Sequence, residues 1–319
     1  MTDQSIINKL YDVLLKGGIV IDPANNTNGR MDVAIKNRRI GKVGSDIPLS
    51  EAARVIDVSG YYVTPGLLDI HTHVFRFRSN DGYIESMVAD AHLLSSGVTT
   101  TVDAGTAGWK NFMEFKEHCI DKSRTRILAF LNIASGGMVY QSTEQNPKEM
   151  HPKVVASIVE AYPDLIVGVK AAHYMMDQPW DAEHPPWASV ESGVAAGEMC
   201  GKPVMVDFWQ RPPERPYPDL ILKKLRPGDI HTHVFGRPVP LVDENRKVRD
   251  YMYQARDRGI IFDLGHGAGS FWFRNSVPAI QSGFYPDSIS TDLHMGNING
   301  PVVNMATTMS KCLSIGLPF

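Results

Sequence analysis

The sequence has few cysteines and no long apolar run, and each shortage excludes a class of protein. Its three cysteines, Cys119, Cys200 and Cys312, lie far apart and form no Cys-x-x-Cys pair. This spacing argues against a disulfide scaffold and predicts reduced, mostly buried thiols in a cytoplasmic protein. No apolar run is long enough to cross a bilayer, so we expect no membrane span. The first five residues, Met-Thr-Asp-Gln-Ser, lack the basic start of a secretory signal.

A strong excess of charge of either sign is also missing. Lysine and arginine number 32 against 35 aspartates and glutamates, which gives a net charge of −3. This balance argues against nucleic acid or a membrane surface as a partner. The 319 residues are enough for two domains, or for one large α/β barrel with an appendage.

The first part of the chain has the pattern of a small β domain, for which we predict the boundaries 1–61. We expect residues 1–10 to form a short helical or frayed leader. Short apolar runs then alternate with turn residues, and the predicted strands are 11–16, 19–22, 31–35, 40–44 and 54–58. A sheet this small with open edges is not stable alone, so we expect it to pack against other strands or the remainder of the chain.

Residues 62–319 change to an alternation of apolar strands and helical stretches. The predicted strands are 66–73, 99–103, 126–131, 165–170, 203–207, 229–233, 259–263 and 288–292. Helical patterns between them include 84–95, 109–119, 190–199, 244–258 and 302–314. The strands lack polar alternation, as expected for strands buried on both faces. Eight strands with helical crossovers predict an α/β fold, a (β/α)8 TIM barrel.

A seven-residue sequence, Asp-Ile-His-Thr-His-Val-Phe, occurs at 69–75 and again at 229–235. Residues two apart in a strand point to the same face, so His71 and His73 can hold one metal ion together. A histidine pair alone is weak evidence, because most such pairs are surface or core residues. The prediction depends on a larger set of polar residues that all end apolar strands: His71, His73, Lys170, Asp207, His233 and Asp292. A barrel gathers the carboxyl ends of its strands at one active site.

Several separated motifs resemble those of the amidohydrolase superfamily. They are 62–73, Val169-Lys170, Thr232-His233 and Ser290-Thr291-Asp292. Within the superfamily, the segments 102–105, 265–271 and 286–294 are most similar to the dihydroorotase-like deacetylase group. The resemblance covers roughly residues 11–319, and the preceding β unit resembles the small sandwich domain of the family. Such proteins usually continue with strands that complete the sandwich, so a chain that stops at Phe319 predicts an incomplete sandwich or a shortened chain.

The resemblance implies a site for two metal ions, usually zinc. His71, His73 and Asp292 would hold one ion, His233 and Asp207 the other, and a carboxylated Lys170 would bridge them. Burial and nearby cations lower the pKa of such a lysine, which favours the neutral amine that captures CO2. The family usually has histidine where this chain has Asp207. A carboxylate is also a zinc ligand, so the sequence leaves open whether one ion or two are bound.

The resemblance further implies hydrolysis of an amide or ester bond in a small acylated compound, as in a deacetylase, by a metal-activated hydroxide. Asp292 would act as general base and then as general acid. For substrate binding the candidates are His266, Arg211 and His173, and the arginine would suit a substrate carboxylate.

Three alternatives stay open at this point. They are a cyclic-amide hydrolase of the dihydroorotase or hydantoinase type, an enzyme with a single metal ion, and a non-catalytic or metal-impaired homologue, which Asp207 favours. Long apolar helices and many aromatic residues are compatible with a homo-oligomer.

Overall fold

The computed structural model describes residues 9–76, 85–176 and 178–318. Residues 1–8 of the predicted leader and the start of the predicted helix 84–95 therefore lie outside the described residues. The chain divides into two compact units, the first ending at Leu67 and the second beginning at Leu68.

The first unit contains a mixed five-stranded sheet. Its strands are β1 (Tyr11–Asp22), β2 (Thr27–Lys36), β3 (Arg39–Gly44), β4 (Ala52–Asp57) and β5 (Tyr62–Val63). The strand order is β3-β2-β1-β4, and β5 also pairs with β1. The two apolar runs on either side of Gly17 form one long strand, β1, whose register shifts between Leu15 and Gly18. The core of this unit is small: Tyr11, Leu14, Ala34, Ile47 and Ala52.

The second unit is built on a seven-stranded parallel sheet. Its strands are β6 (Leu67–Thr72), β7 (Val98–Gly108), β8 (Arg126–Asn132), β9 (Ile166–Ala171), β10 (Val204–Val206), β11 (Ile230–His231) and β12 (Ile261–Phe262). They follow one another in sequence order across the sheet. Each of the first seven predicted strands overlaps one of the strands β6–β12, so the sequence pattern predicted the positions of the strands of this sheet along the chain.

The predicted eighth strand, 288–292, is not a regular strand in the structure, but the segment 288–293 contacts both edges of the sheet. Ser288 forms a parallel bridge with Asp263 after β12, and Leu293 forms one with Thr72 of β6. Asp69 of β6 also holds this segment, because its carboxylate accepts hydrogen bonds from the Thr291 hydroxyl at 2.6 Å and from the Thr291 backbone N–H at 3.1 Å. Burial raises the pKa of Asp69 to about 7. The sheet is therefore curled, with its first and last strands linked through 288–293.

Helices lie between most strands of the second unit. They are α1 (Ala89–His92), α2 (Phe112–His118), α3 (Gln141–Glu144), α4 (Pro152–Ala161), α5 (Ala188–Cys200), α6 (Tyr217–Asp219), α7 (Asp250–Asp257), α8 (Phe273–Gln281) and α9 (Met305–Ser314). Four of them, α3, α4, α6 and α8, were not among the predicted helices, and the two longest of these are α4 and α8. Proline marks both: Pro152 starts α4, where its missing N–H costs nothing, and Pro278 lies inside α8.

The interior of the second unit is apolar, as the continuous strand patterns predicted. Val102, Ala104, Phe130, Met205 and Ile230 form a buried cluster inside the curled sheet. All three cysteines are free thiols, but only Cys312 is fully buried, so the expectation of mostly buried thiols was wrong for Cys119 and Cys200. Both lie at or next to helix ends, where side chains are partly exposed to solvent. Within the described residues, every helix falls short of the length and hydrophobicity needed to cross a membrane.

Candidate metal centre

His71, His73 and Asp292 form a buried group of three ligands. Their ligand atoms all lie within 4.8 Å of one another. One carboxylate oxygen, Asp292 Oδ1, lies 3.0 Å from His73 Nε2 and 3.5 Å from His71 Nε2. Two imidazole nitrogens and a carboxylate oxygen are donors that zinc accepts. The residues present therefore fit a metal ion at this position.

The far sides of the two imidazoles are held by threonines. Thr232 Oγ1 lies 2.9 Å from His71 Nδ1 and donates its own proton to Asp263 Oδ2 at 2.7 Å. The hydroxyl therefore accepts from His71 Nδ1–H, which leaves the lone pair of this imidazole on Nε2, facing Asp292. Burial is the largest of several effects that lower the pKa of His71 well below its ordinary value, so the ring is neutral. Thr106 Oγ1 lies 2.8 Å from His73 Nδ1.

Lys170 lies fully buried beside this group. Its Nζ is 3.5 Å from His71 Nε2, and it has no exposed surface. Burial lowers the pKa of Lys170, and this effect outweighs the neighbouring carboxylates that raise it. Gly105, in a left-handed conformation with φ +87°, makes the approach of the lysine stem possible. A Cβ at this position would lie 2.5 Å from Lys170 Cγ.

Asp207 lies between two histidines. Its Oδ2 is 3.5 Å from His233 Nε2 and 3.5 Å from His173 Nε2. His233 Nδ1 donates to the Gly265 carbonyl oxygen at 2.6 Å, and His173 Nδ1 lies 3.0 Å from Glu144 Oε2. Burial lowers the pKa of His173, but the Glu144 and Asp207 carboxylates outweigh it and raise the pKa above its ordinary value.

All six predicted metal ligands line one cavity of about 580 Å³. His173 and His294 also line it, and so does Arg237. The apolar part of the wall includes Met138, Met176, Phe208, Trp209, Val239 and Trp272. The cavity can therefore hold a small molecule whose polar end faces the metal ligands and whose remainder contacts apolar surface.

Two predicted substrate-binding residues lie outside the described wall of this cavity. The Arg211 guanidinium donates to the carbonyl oxygens of Met175 and Gln178 and lies over the Trp180 ring. His266 accepts from Lys311 Nζ at 2.7 Å and stacks on Phe271. Neither arrangement directs the side chain at the metal ligands, so substrate contact by Arg211 or His266 stays a prediction.

The two copies of the repeated sequence contribute differently to the site. The first places both His71 and His73 there, whereas the second contributes only His233 to the cavity wall. His231 lies in the interior between the rings of Tyr217 and Phe262, and burial lowers its pKa to about 4. The sequence analysis missed Glu144, Thr106 and Arg237, whose surrounding sequence gives no local signal. Thr232 lies in the repeat and could have been found there.

The chain is similar to several known enzymes. No family model matches the chain. A deacetylase from Agrobacterium fabrum is 35% identical over 286 residues, which are 88% of this chain and 67% of the relative. Among solved structures, an adenine deaminase has a TM-score of 0.80 at 31% identity, covering 96% of this chain and 80% of that one. A dihydroorotase has a TM-score of 0.77 at 30% identity with the same coverages.

The fold, the buried histidines and these similarities define an enzyme of the metal-dependent hydrolase class. The chain belongs to the amidohydrolase superfamily, as the sequence motifs indicated. The prediction that it is an enzyme is thereby confirmed, and so is the expectation of a small-molecule substrate.

Proposed function

We propose that this protein is a two-zinc hydrolase that removes the acyl group from a small, carboxylate-bearing compound. The observation that carries the proposal is the convergence of six separated residues on one cavity: His71, His73, Lys170, Asp207, His233 and Asp292. The similarity to deacetylases favours an acyl amide or ester as the substrate. His71, His73 and Asp292 would hold one ion, and Asp207 and His233 the other.

The proposal includes the fold and the domain boundaries. A (β/α)8 barrel over 62–319 would take 288–292 as its eighth strand, and the bridges of that segment to both sheet edges support this. The small sandwich-like domain would be 1–61, for which the mixed sheet of the first unit is the support.

Lys170 is the proposed bridge between the two ions. Its neutral amine would attack the carbon of CO2 and lose one proton, which yields a carbamate with two oxygen donors. The full burial of the side chain and the downward shift of its pKa support the neutral amine. Protein incubated with 13C-labelled bicarbonate should show a single carbamate carbon by NMR, and Lys170→Met should lack it.

The chemistry needs a proton acceptor beside an activated water. When bound, zinc lowers the pKa of water towards about 7 and polarises a substrate carbonyl. Asp292 would take the proton of the attacking water and return it to the leaving group. The His73 hydrogen bond and nearby imidazoles outweigh burial and lower the pKa of Asp292, so the carboxylate is ionised and ready to accept. His71 and His73 would fix its orientation.

The cavity wall suggests where a substrate carboxylate binds. Arg237 lines the cavity, and its guanidinium lies 5.5 Å from the ring centre of Trp272, which belongs to the apolar part of the wall. An arginine pairs well with a carboxylate, in a two-point hydrogen bond. We therefore propose Arg237 as the carboxylate-binding residue, with His173 and His294 near the reacting group.

A second candidate is a cyclic-amide hydrolase, which the similarity to a dihydroorotase favours. The test is a substrate panel on protein loaded with zinc and bicarbonate: N-acetyl amino acids, acylated hydroxy acids, dihydroorotate, hydantoins and adenine. Preferred release of acetate supports the deacylase. Preferred ring opening supports the second candidate, and hydrolysis of none by metal-loaded protein supports a non-catalytic homologue.

A further inference from the structure

His173 extends the site beyond the six residues already assigned. It follows β9 by two positions, is 8% exposed, and lines the same cavity as the metal ligands. Its backbone has φ +53°, a left-handed conformation that is costly for a residue with a side chain. His233 and Asp292 adopt the same conformation at φ +59° and +53°. Such strain persists where the surrounding structure holds a residue in place, and it clusters at functional sites.

Glu144 fixes the orientation of the His173 ring. Glu144 is 1% exposed, and its Oε2 lies 3.0 Å from His173 Nδ1. Its other oxygen, Oε1, accepts a hydrogen bond from Asn132 Nδ2 at 2.8 Å. An ionised carboxylate only accepts, so His173 Nδ1 carries a proton in this pair. In the neutral ring the lone pair is then on Nε2, which faces the cavity.

Two imidazole nitrogens and one carboxylate oxygen face each other around Asp207. His233 has the same tautomer as His173, because its Nδ1 donates to the Gly265 carbonyl oxygen. Each Nε2 lies 3.5 Å from Asp207 Oδ2. Imidazole nitrogens and carboxylate oxygens are donors that zinc accepts, and both imidazoles approach the same oxygen of Asp207. A carboxylate behind a metal-binding histidine is a frequent arrangement, since it fixes the tautomer and makes the ring a better donor.

We propose that His173 is a ligand of the second metal ion, together with Asp207 and His233, and that Glu144 is its positioning residue. The inference rests on the proposed two-ion site. It also explains how the site works without a histidine at 207: the imidazole comes from the end of β9. With the Lys170 carbamate, the second ion would then have four protein donors.

The test measures how tightly the second ion is held. Wild type and His173→Gln are stripped, reloaded with zinc and bicarbonate, and titrated against a graded series of chelator concentrations. We expect wild type to retain two ions and His173→Gln to retain one. The affinity of the variant for the second ion should be at least about 100-fold weaker, which is a larger loss than is usual when a residue hydrogen-bonded to a metal ligand is changed. Glu144→Gln should weaken the affinity for the second ion by about 10–100-fold. The visible spectrum of the cobalt-substituted second site should change in both variants.

The control is His151→Gln, which changes an exposed histidine away from the cavity and should retain two ions. If His173→Gln does not fold, as judged by circular dichroism, Glu144→Gln decides the question. Wild-type affinity and an unchanged cobalt spectrum in the variants would overturn the inference and leave the two-ion proposal intact. A wild-type protein that holds only one ion would overturn both.

Discussion

Asp207 is a residue at which this chain departs from the pattern it resembles. A carboxylate at 207 neutralises one more positive charge than a histidine would, so bound ions would polarise water less strongly. His173 and His233 approach the same Asp207 oxygen at 3.5 Å, so the proposed second metal site would gain an extra imidazole donor. With His173 as the proposed ligand, the second site would keep two nitrogen donors, and a carboxylate at 207 would be compatible with a working metal centre.

Asp292 provides the residue-scale prediction about catalysis. Asp292→Asn keeps an oxygen beside His71 and His73 but removes the base, so we expect kcat to fall by about 10²–10⁴-fold. Metal content should stay close to that of wild type, and elemental analysis of the same preparation checks this. Turnover close to wild type in the metal-loaded variant would exclude Asp292 as the proton acceptor.

Arg237 provides the prediction about substrate selectivity. In Arg237→Gln we expect KM for a carboxylate-bearing substrate to rise by about 10–100-fold, because a charge-assisted hydrogen bond is worth about 1.5–3 kcal/mol. The corresponding uncharged methyl ester should show little change. Arg211→Gln is the matched comparison, since that guanidinium bonds to backbone carbonyl oxygens. A KM effect in Arg211→Gln alone would assign the carboxylate to Arg211.

The sequence could predict the ligands but not the residues that hold them. His71, Lys170 and Asp292 each end an apolar run, and that pattern is local. Glu144 and His173 are 29 residues apart, and only the fold brings them together. Likewise, the repeated sequence predicted two strands that end at one site, but not how far each strand extends: β11 ends at His231, whereas β6 continues to Thr72. The place where a strand ends depends on pairing with its neighbours, which a single sequence does not reveal.

At the scale of elements, the end of each parallel strand determines what the site contains. β7 continues to Gly108, past the predicted end at 103, and this extension brings Thr106 to His73. Within it, Gly105 gives Lys170 room to lie beside the histidines. The extension was not predicted, because small and polar residues such as those of 103–108 are typical of loops.

Gly105→Ala is the prediction at this scale. The added methyl would lie 2.5 Å from Lys170 Cγ at a backbone φ of +87°. We expect the free energy of unfolding to fall by about 1–3 kcal/mol, from overpacking and backbone strain. Displacement of Lys170 should also reduce the carbamate signal. Chemical denaturation and 13C NMR measure the two effects.

The control for this change is Gly29→Ala. Gly29 lies in β2 with no atom within 4 Å of an added Cβ, so the variant should unfold close to wild type. Equal stability of Gly105→Ala and wild type would show that the close approach to Lys170 relaxes at little cost.

For the whole molecule, periodicity and apolar runs were enough to indicate an α/β fold with a parallel sheet after a small β unit. They were not enough to give the lengths of the last strands. β11 and β12 contain two residues each. Past their ends, the backbone hydrogen bonds involve residues outside the assigned strands, such as the N–H groups of Val234 and Leu264. Helix α8 was missed because Pro278 breaks the expected helical pattern, yet the helix tolerates it. Tertiary packing outweighs local propensity in both cases.

Metal removal should affect the stability of the whole second unit, because its strands converge on the cavity. Without cations, Asp207 and Asp292 remain as buried carboxylates near one another, with imidazoles facing them. An ion that binds only the folded chain stabilises it by about 4 kcal/mol when its concentration is 1,000 times Kd. We therefore expect the melting temperature to fall by several degrees after chelation and to recover with zinc plus bicarbonate.

Zinc without bicarbonate should restore less of the melting temperature, since the Lys170 carbamate would be missing. Identical melting curves for stripped and reloaded protein would mean that the cavity is stable without ions, which would contradict a structural contribution of the metal centre.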